Sequence, residues 1–435
     1  MTQRQKALEI FLAGVETVKP MNLIRDHVSI DHDILWMNGI SFDLTTLKNI
    51  YVVGFGKASA AMSQSLESIL DTRITGGCVI TKYGHSVPQK FIEIIEAAHP
   101  VPDENGLRGT ERILSIVENA GKDDLVICLI SGGGSALLAD VPEGCTLDDL
   151  KLLNSLLLKA GADIAEINCI RKHLSKVKGG HLSKAAYPAR LVSLIISDVI
   201  GDPLDVIASG PTTPDPTTFA DAVSILKKYD IEDKIPNQMC RVLLDGVKDK
   251  HKETLKASDE ALFNTTNLVI GTNSLALKTA KERAESFGYN TLIFTNTLAG
   301  DVADVANYII KTVKAAEQNT CLLFGGEPTV KVTGTGLGGR NQHLALMIAN
   351  LLKDMSGITI LIAGTDGTDG PTNATGAVVD SRTCEHASKL NLNMEQYICN
   401  NDAYHFFEQE GGLIITGPTQ TNVMDIMIAL IMQHG

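Results

Sequence analysis

The feature that most constrains this chain is a series of short, continuous apolar runs, each ended by Gly, Ser, Asp or Thr and followed by a stretch with helical spacing. They are YVVG (51–54), LVICLI (125–130), LVSLII (191–196), LVI (268–270), TLIF (291–294), CLLF (321–324), ITILIA (358–363) and LII (413–415). A strand with one wet face alternates apolar and polar residues, whereas an uninterrupted run marks a strand buried on both faces. Helices between such strands supply the cover, so the pattern predicts an α/β protein built on parallel sheet. Open sheets of this kind bind ligands beyond the carboxyl ends of their strands. The residues there are polar and rich in glycine: GFGKAS, SGGGSALL, SDVIGDPLDVIASGPTTPDP, GTNS, GGEPTVKVTGTGLGGRNQH, GTDGTDGPTNATGAVVD and TGPTQTNVMD.

At 435 residues the chain exceeds the size at which a single core stops growing, so two α/β domains are expected. The polar, charged stretch DGVKDKHKETLKA (245–257) precedes a fresh apolar run and divides domain one, 1–250, from domain two, 251–435. The closing VMDIMIALIMQHG reads as an apolar helix that packs back onto the first domain.

Charge narrows the partners. With 38 basic and 51 acidic residues, a net of -13 and no basic stripe, nucleic acid and anionic membrane are excluded as partners, although a few placed cations still suffice for a small anion. The eight cysteines are scattered without a CxxC pair, which fits free thiols in a reducing, cytoplasmic compartment. No export signal is visible, and the apolar runs fall far short of the ~20 residues a bilayer span needs.

Five motifs carry chemistry. In Gly54-Phe55-Gly56-Lys57-Ala58-Ser59 a glycine turn leads into a helix beside a mobile cation, an arrangement suited to an anion and equally to a plain strand-to-helix turn. It has neither the Walker spacing nor the closing glycine of a dinucleotide fingerprint. Ser131, Gly132, Gly133, Gly134 and Ser135 follow a strongly apolar strand and form a nest of backbone amides suited to phosphate. Leu137 stands where a nucleophile elbow needs its last glycine, which disfavours a serine hydrolase.

Asp198 and Asp202 lie four residues apart at a strand end, where they suit water-mediated Mg²⁺ binding or acceptance of a hydroxyl proton; the alternative is a helix cap and a turn before Pro203. Gly334, Gly336 and Gly339 form a GxGxxG without the strand context a dinucleotide site requires, and Arg340 at its mouth suits carboxylate or phosphate. Glu327, Asn341 and, in the GTDGTDG loop, Asp366 join the nucleotide-binding candidates, while His343 has the spacing of a core residue.

GFGKASAAM, HPVPDENGLRGTERIL, LISGGGSALL, NCIRKHLSKVKGGHL, SDVIGDPLDVIASGPTTPD, GGEPTVKVTGTGLGGRNQHLAL and GTDGTDGPTNATGAVVD, in that order, resemble the class II glycerate kinases, whose carboxy-terminal part is the MOFRL module. The resemblance covers nearly the whole chain. It implies ATP-dependent phosphorylation of D-glycerate, usually at the 2-hydroxyl, to give 2-phosphoglycerate and ADP with Mg²⁺ as cofactor. It also implies a Rossmann-like parallel sheet in the first domain, a smaller α/β domain of MOFRL type, and an active site in the interdomain cleft. The family's catalytic lysine and arginine fall on Lys57 and Arg340.

Phosphoryl transfer asks mainly for alignment and charge neutralisation. The amides of residues 131–135, with Gly54 and Gly56 behind them, are therefore expected to cradle ATP, and Asp198 to hold Mg²⁺ or orient the attacking hydroxyl. Lys57→Ala and Arg340→Ala are expected to fold normally and lose most activity. The partners are then D-glycerate and ATP, with a homo-oligomer left open. Two rivals remain, an NAD(P)H-dependent hydroxypyruvate reductase and a nonenzymatic metabolite-binding protein.

Overall fold

Asp124–Ile130 is buried at every position, as an uninterrupted apolar run demands. The structure, a computed structural model of the chain, describes residues 1–353 and 355–432. By their internal contacts these residues form two units, one of Leu23–Ser197 with Asp202–Ile270, the other of Met1–Asn22, Asp198–Gly201 and the chain from Gly271 onward. The division expected near residue 250 thus falls instead at 270/271, and the first helix leaves the first domain for the second.

The first unit begins with a small antiparallel sheet of β1 (Val28–Asp31), β2 (Ile34–Met37) and β3 (Ile40–Asp43). Its main sheet holds β4 (Asn49–Phe55), β5 (Gly76–Lys82), β6 (Ile92–Ala97), β7 (Asp124–Ile130), β8 (Arg190–Ile196) and β9 (Thr265–Gly271), in the order β6-β5-β4-β7-β8-β9. The pairs from β6 through β8 are parallel. The chain winds outward one way from β4 and the other way from β7, which is the doubly wound order with its switch point between those two strands. Helices Leu147–Ala160, Ile164–His173, Phe219–Lys228 and Asn237–Lys248 close a separate apolar core around Leu157, Ile170, Phe219 and Leu243.

The second unit's sheet holds β10 (Asn290–Asp301), β11 (Thr320–Thr329), β12 (Ile358–Gly364), β13 (Gly376–Asp380), β14 (Leu413–Ile414) and β15 (Asp425–Ile431), in the order β10-β11-β15-β12-β13-β14. Only β10 and β11 run parallel; β15 is antiparallel to both β11 and β12. The sheet is therefore mixed, and the segment expected to be a helix on the first domain is a central strand of the second. A short run such as IMIALI fits a buried helix or a buried strand equally well by periodicity, and pairing from both sides decides for the strand. Antiparallel strands buried on both faces also lose their alternation, so the run pattern alone does not reveal direction.

Helices Val302–Ala315 and Arg340–Leu351 join these strands in one core that includes Leu322, Phe324, Ile360 and Met427. The first helix, Gln3–Thr17, packs against Asn273–Ser286 so closely that a Cβ at Gly14 would lie 2.8 Å from the Ala276 carbonyl oxygen. Among the described residues no helix is long and apolar enough to cross a membrane.

Ile428 in β15 is fully buried between Leu323 and Leu361. Ile428→Ala should destabilise the protein by about 2–5 kcal/mol through lost transfer energy and a residual cavity. A urea midpoint unchanged from wild type would contradict a core position for this strand.

Candidate active site

Phe55 and Ile130, the last residues of β4 and β7, are partners in register, so the loops after them start side by side. Their approach is closer than a side chain permits. Gly56 has φ +132°, and a Cβ there would collide with Ser131 Oγ. Ser131 is a strut: its buried hydroxyl accepts the Ala58 amide at 3.0 Å, while the Lys57 amide donates to the Gly132 carbonyl at 2.9 Å. Gly54 lies inside β4 against Leu129 and serves sheet packing.

The amides of Gly134 and Ala136 donate back into the loop, to Ser131 and Gly133. Those of Gly132, Gly133 and Ser135 have no acceptor among the described residues. Gly133 is left-handed, at φ +81°, and His99 covers it. Burial, then Lys57, Lys82 and His85, push His99 down to about 4, so the imidazole is neutral at physiological pH. The Ser135 and Ser209 hydroxyls lie 2.7 Å apart, and Ser209 donates to Asn168. His99 begins the HPVPDENGLRGTERIL motif, and its covering role follows from tertiary packing.

In the second unit Arg340 opens the helix Arg340–Leu351 and is clamped by two carboxylates. Its Nε and Nη2 donate to Asp425 at 2.6 and 3.0 Å, and its Nη1 pairs with Glu327 at 2.8 Å. Burial alone would lower the guanidinium pKa, but Asp425 and then Glu327 raise it instead. Asp425 is fully buried at the start of β15 and also accepts from Asn341 at 3.0 Å. Asn341, itself buried, thus braces the clamp. Asp425 escaped the sequence reading because the segment containing it reads as a helix.

The GxGxxG loop behaves unlike the three-glycine loop. Asn401 accepts from the amides of Thr333 and Gly334, Asn400 from those of Thr335 and Gly336, and Asp402 from that of Leu337. A Cβ at Gly334 or Gly336 would strike that same 400–402 segment. These glycines allow one loop to press on another, and the amides of residues 333–337 are already engaged.

Asp369, 3% exposed, accepts the amides of Asn341 and Gln342 at the start of the Arg340 helix. His343 is buried, as its spacing predicts. Asp366 is half-buried and accepts the Thr368 amide. Asp198 belongs to the second unit, where Asn422 donates to it at 3.3 Å, whereas Asp202 belongs to the first. Asp202 is left-handed, at φ +55°, with one buried carboxylate oxygen lacking a partner among the described residues.

No group of three or more His, Cys, Asp or Glu among the described residues is arranged to hold a metal. Mg²⁺ usually needs only one or two carboxylates, with water and phosphate oxygens completing its shell, so an ion arriving with a nucleotide fits single carboxylates such as these.

Burial raises Asp369 to about 6, against the opposing amides of Gln342 and Asn341. An aspartate in an unfolded chain titrates near ~3.9. The folded state therefore binds this proton more tightly, and the associated stability is fully present below about pH 4 and lost as pH rises through about 6. The stability of wild type relative to Asp369→Asn should fall by up to about 3 kcal/mol between pH 4 and 7. Urea midpoints of both proteins across that range measure it, and a constant difference would reject a raised Asp369.

Residues 6–244 match the family described as a domain of unknown function, DUF4147, and residues 320–425 match the MOFRL family. The chain is 40% identical over 439 residues to a glycerate 2-kinase of Pyrococcus horikoshii, covering 99% of this chain and 98% of the relative. It is 41% identical over 389 residues to an Agrobacterium vitis protein whose name gives hydroxypyruvate reductase as a provisional assignment, covering 87% and 86%. The crystal structure of a glycerate kinase from Thermotoga maritima matches with a TM-score of 0.86 at 39% identity, over 98% of this chain and 99% of that one. Relatives of this identity, aligned from end to end, establish that the chain belongs to the glycerate kinase family, with the MOFRL module as its carboxy-terminal part.

Proposed function

We propose that this chain transfers the γ-phosphoryl group of ATP to the 2-hydroxyl of D-glycerate, giving 2-phosphoglycerate and ADP, in the cytoplasm. The observation that carries the reading is the set of three unengaged amides, Gly132, Gly133 and Ser135, at the switch point of a doubly wound sheet beside Lys57. Eight free thiols agree with a reducing compartment.

The transferring group passes through a loose, strongly anionic transition state, so preplaced positive charge and amides do most of the work. The three amides hold phosphate oxygens, and Lys57 adds a mobile cation. Arg340 adds a fixed one. Its Asp425 partner is buried, but Glu327 is about as exposed as an ordinary surface side chain, so an incoming phosphate displaces Glu327 first. Asp198 or Asp202 would hold the Mg²⁺ that comes with ATP, and the ion would supply further neutralisation.

The reductase reading draws on one relative's name and on the GxGxxG match. The amides of residues 333–337 in that loop are held by residues 400–402, which leaves the glycine turn of that reading without the open backbone a pyrophosphate needs.

Phosphorus NMR of enzyme, ATP, Mg²⁺ and D-glycerate should show 2-phosphoglycerate growing with ADP. Glycerate-independent ADP release, or NADH oxidation by hydroxypyruvate instead, would reject the proposal. Lys57→Ala and Arg340→Lys should each lower kcat by about 10²–10³. Arg340→Ala is the poorer probe, contrary to the expectation of normal folding, because an unpaired buried Asp425 costs about 3–5 kcal/mol of stability. Full turnover in both Lys57→Ala and Arg340→Lys would remove these residues from the mechanism.

A further inference from the structure

Beside the three-glycine loop the first unit has a partly open cavity of about 260 Å³, walled in part by His99, Gly133, Ser135, Asp140, Arg171 and Lys178. Sites for drug-sized ligands span about 300–1,000 Å³, so this chamber takes a molecule of few heavy atoms and not a nucleotide.

Its charges do not balance. Lys178, 5% exposed, donates to the Leu138 carbonyl at 2.5 Å and faces Asp140 at 3.7 Å. Asp140 is further occupied by the Ser175 hydroxyl at 2.7 Å and the Lys176 amide at 2.5 Å. Arg171 is different: its Nε donates to Asn154 at 2.9 Å, and among the described residues it pairs with no carboxylate. Burial lowers its pKa with nothing to oppose the effect. His99, neutral at physiological pH, contributes no charge. With Lys178 set against Asp140, one half-buried positive charge, that of Arg171, is left over. A buried charge without a counter-ion is costly, and a ligand anion is the natural complement.

We propose that this cavity seats the acceptor's carboxylate: Arg171, held by Asn154, binds the single carboxylate of a short 2-hydroxy acid next to the glycine loop. The assignment rests on the kinase reading above and names its acceptor subsite. A guanidinium matches a carboxylate through two parallel N–H bonds, which Lys cannot reproduce. A dicarboxylate would bring a second negative charge toward Asp140, so the site selects monocarboxylates.

Calorimetric titration with D-glycerate and steady-state kinetics test this together. Arg171→Met should raise the Kd and KM for glycerate by ~100-fold, about 2.8 kcal/mol, and move the KM for ATP by less than ~3-fold. Arg171→Lys should recover part of the loss, and uncharged glyceramide should not bind wild type. An unchanged glycerate Kd in folded Arg171→Met overturns the proposal. Should that variant not fold, phenylglyoxal labelling of wild type decides: glycerate must shield Arg171, and equal labelling with and without it overturns the subsite. The two readings fail separately. Arg171-dependent glycerate binding without ADP release keeps the subsite and rejects the kinase, whereas ADP release indifferent to Arg171 keeps the kinase and rejects the subsite.

Discussion

The space between residue 56 and Ser131 is too small for a methyl group, and the first unit's chemistry follows from that closeness. Strand order reverses between β4 and β7, which are in register to their last residues, so two loops emerge side by side. Glycine at 56 and the Ser131 hydroxyl tie the loops at their roots. Beyond the tie the second loop has three glycines, and the amides of Gly132, Gly133 and Ser135 have no acceptor among the described residues. Unpaired backbone donors are tolerated where a ligand or water takes them, which is why such loops are found at switch points.

The second unit reaches its polar centre by another route. Asp425 is a fully buried carboxylate, and burying a charge is unfavourable unless partners surround it. Arg340 and Asn341 approach it from the start of one helix, and Asn273, from another, donates to its main-chain carbonyl at 3.0 Å. The reward is positional: a guanidinium gripped along one edge cannot swing away, and its other edge faces the less buried Glu327. Asp369, receiving the first amides of the same helix, fixes where that helix begins.

Much of this could be read from the residues. Buried strands announce themselves as unbroken apolar runs, and SGGGS at the end of the strongest run signalled a phosphate-type nest. The seven ordered motifs carried the family resemblance, which the full-length relatives bear out. The failures share a cause. IMIALI has no period that separates strand from helix, so β15 and the Asp425 that begins it stayed hidden. GTGLGG looks as open as SGGGS in one dimension; only the fold presses residues 400–402 against it and fills the amides of its first four residues. Arg171 and Lys178 stand seven positions apart in NCIRKHLSKVKGGHL, and only the fold sets Lys178 against Asp140 while leaving Arg171 on Asn154.

The sequence by itself determined the α/β class, the loops that end the first sheet's strands and the presence of cations beside glycines, because these depend on local periodicity and residue type. Tertiary structure decided which glycine loop keeps unengaged amides and which is pressed against protein, which carboxylate grips Arg340, and that the last apolar run is a central antiparallel strand. Those outcomes depend on what packs against a segment from far along the chain, and burial, pairing and charge compensation are properties of such contacts, not of any one stretch of residues.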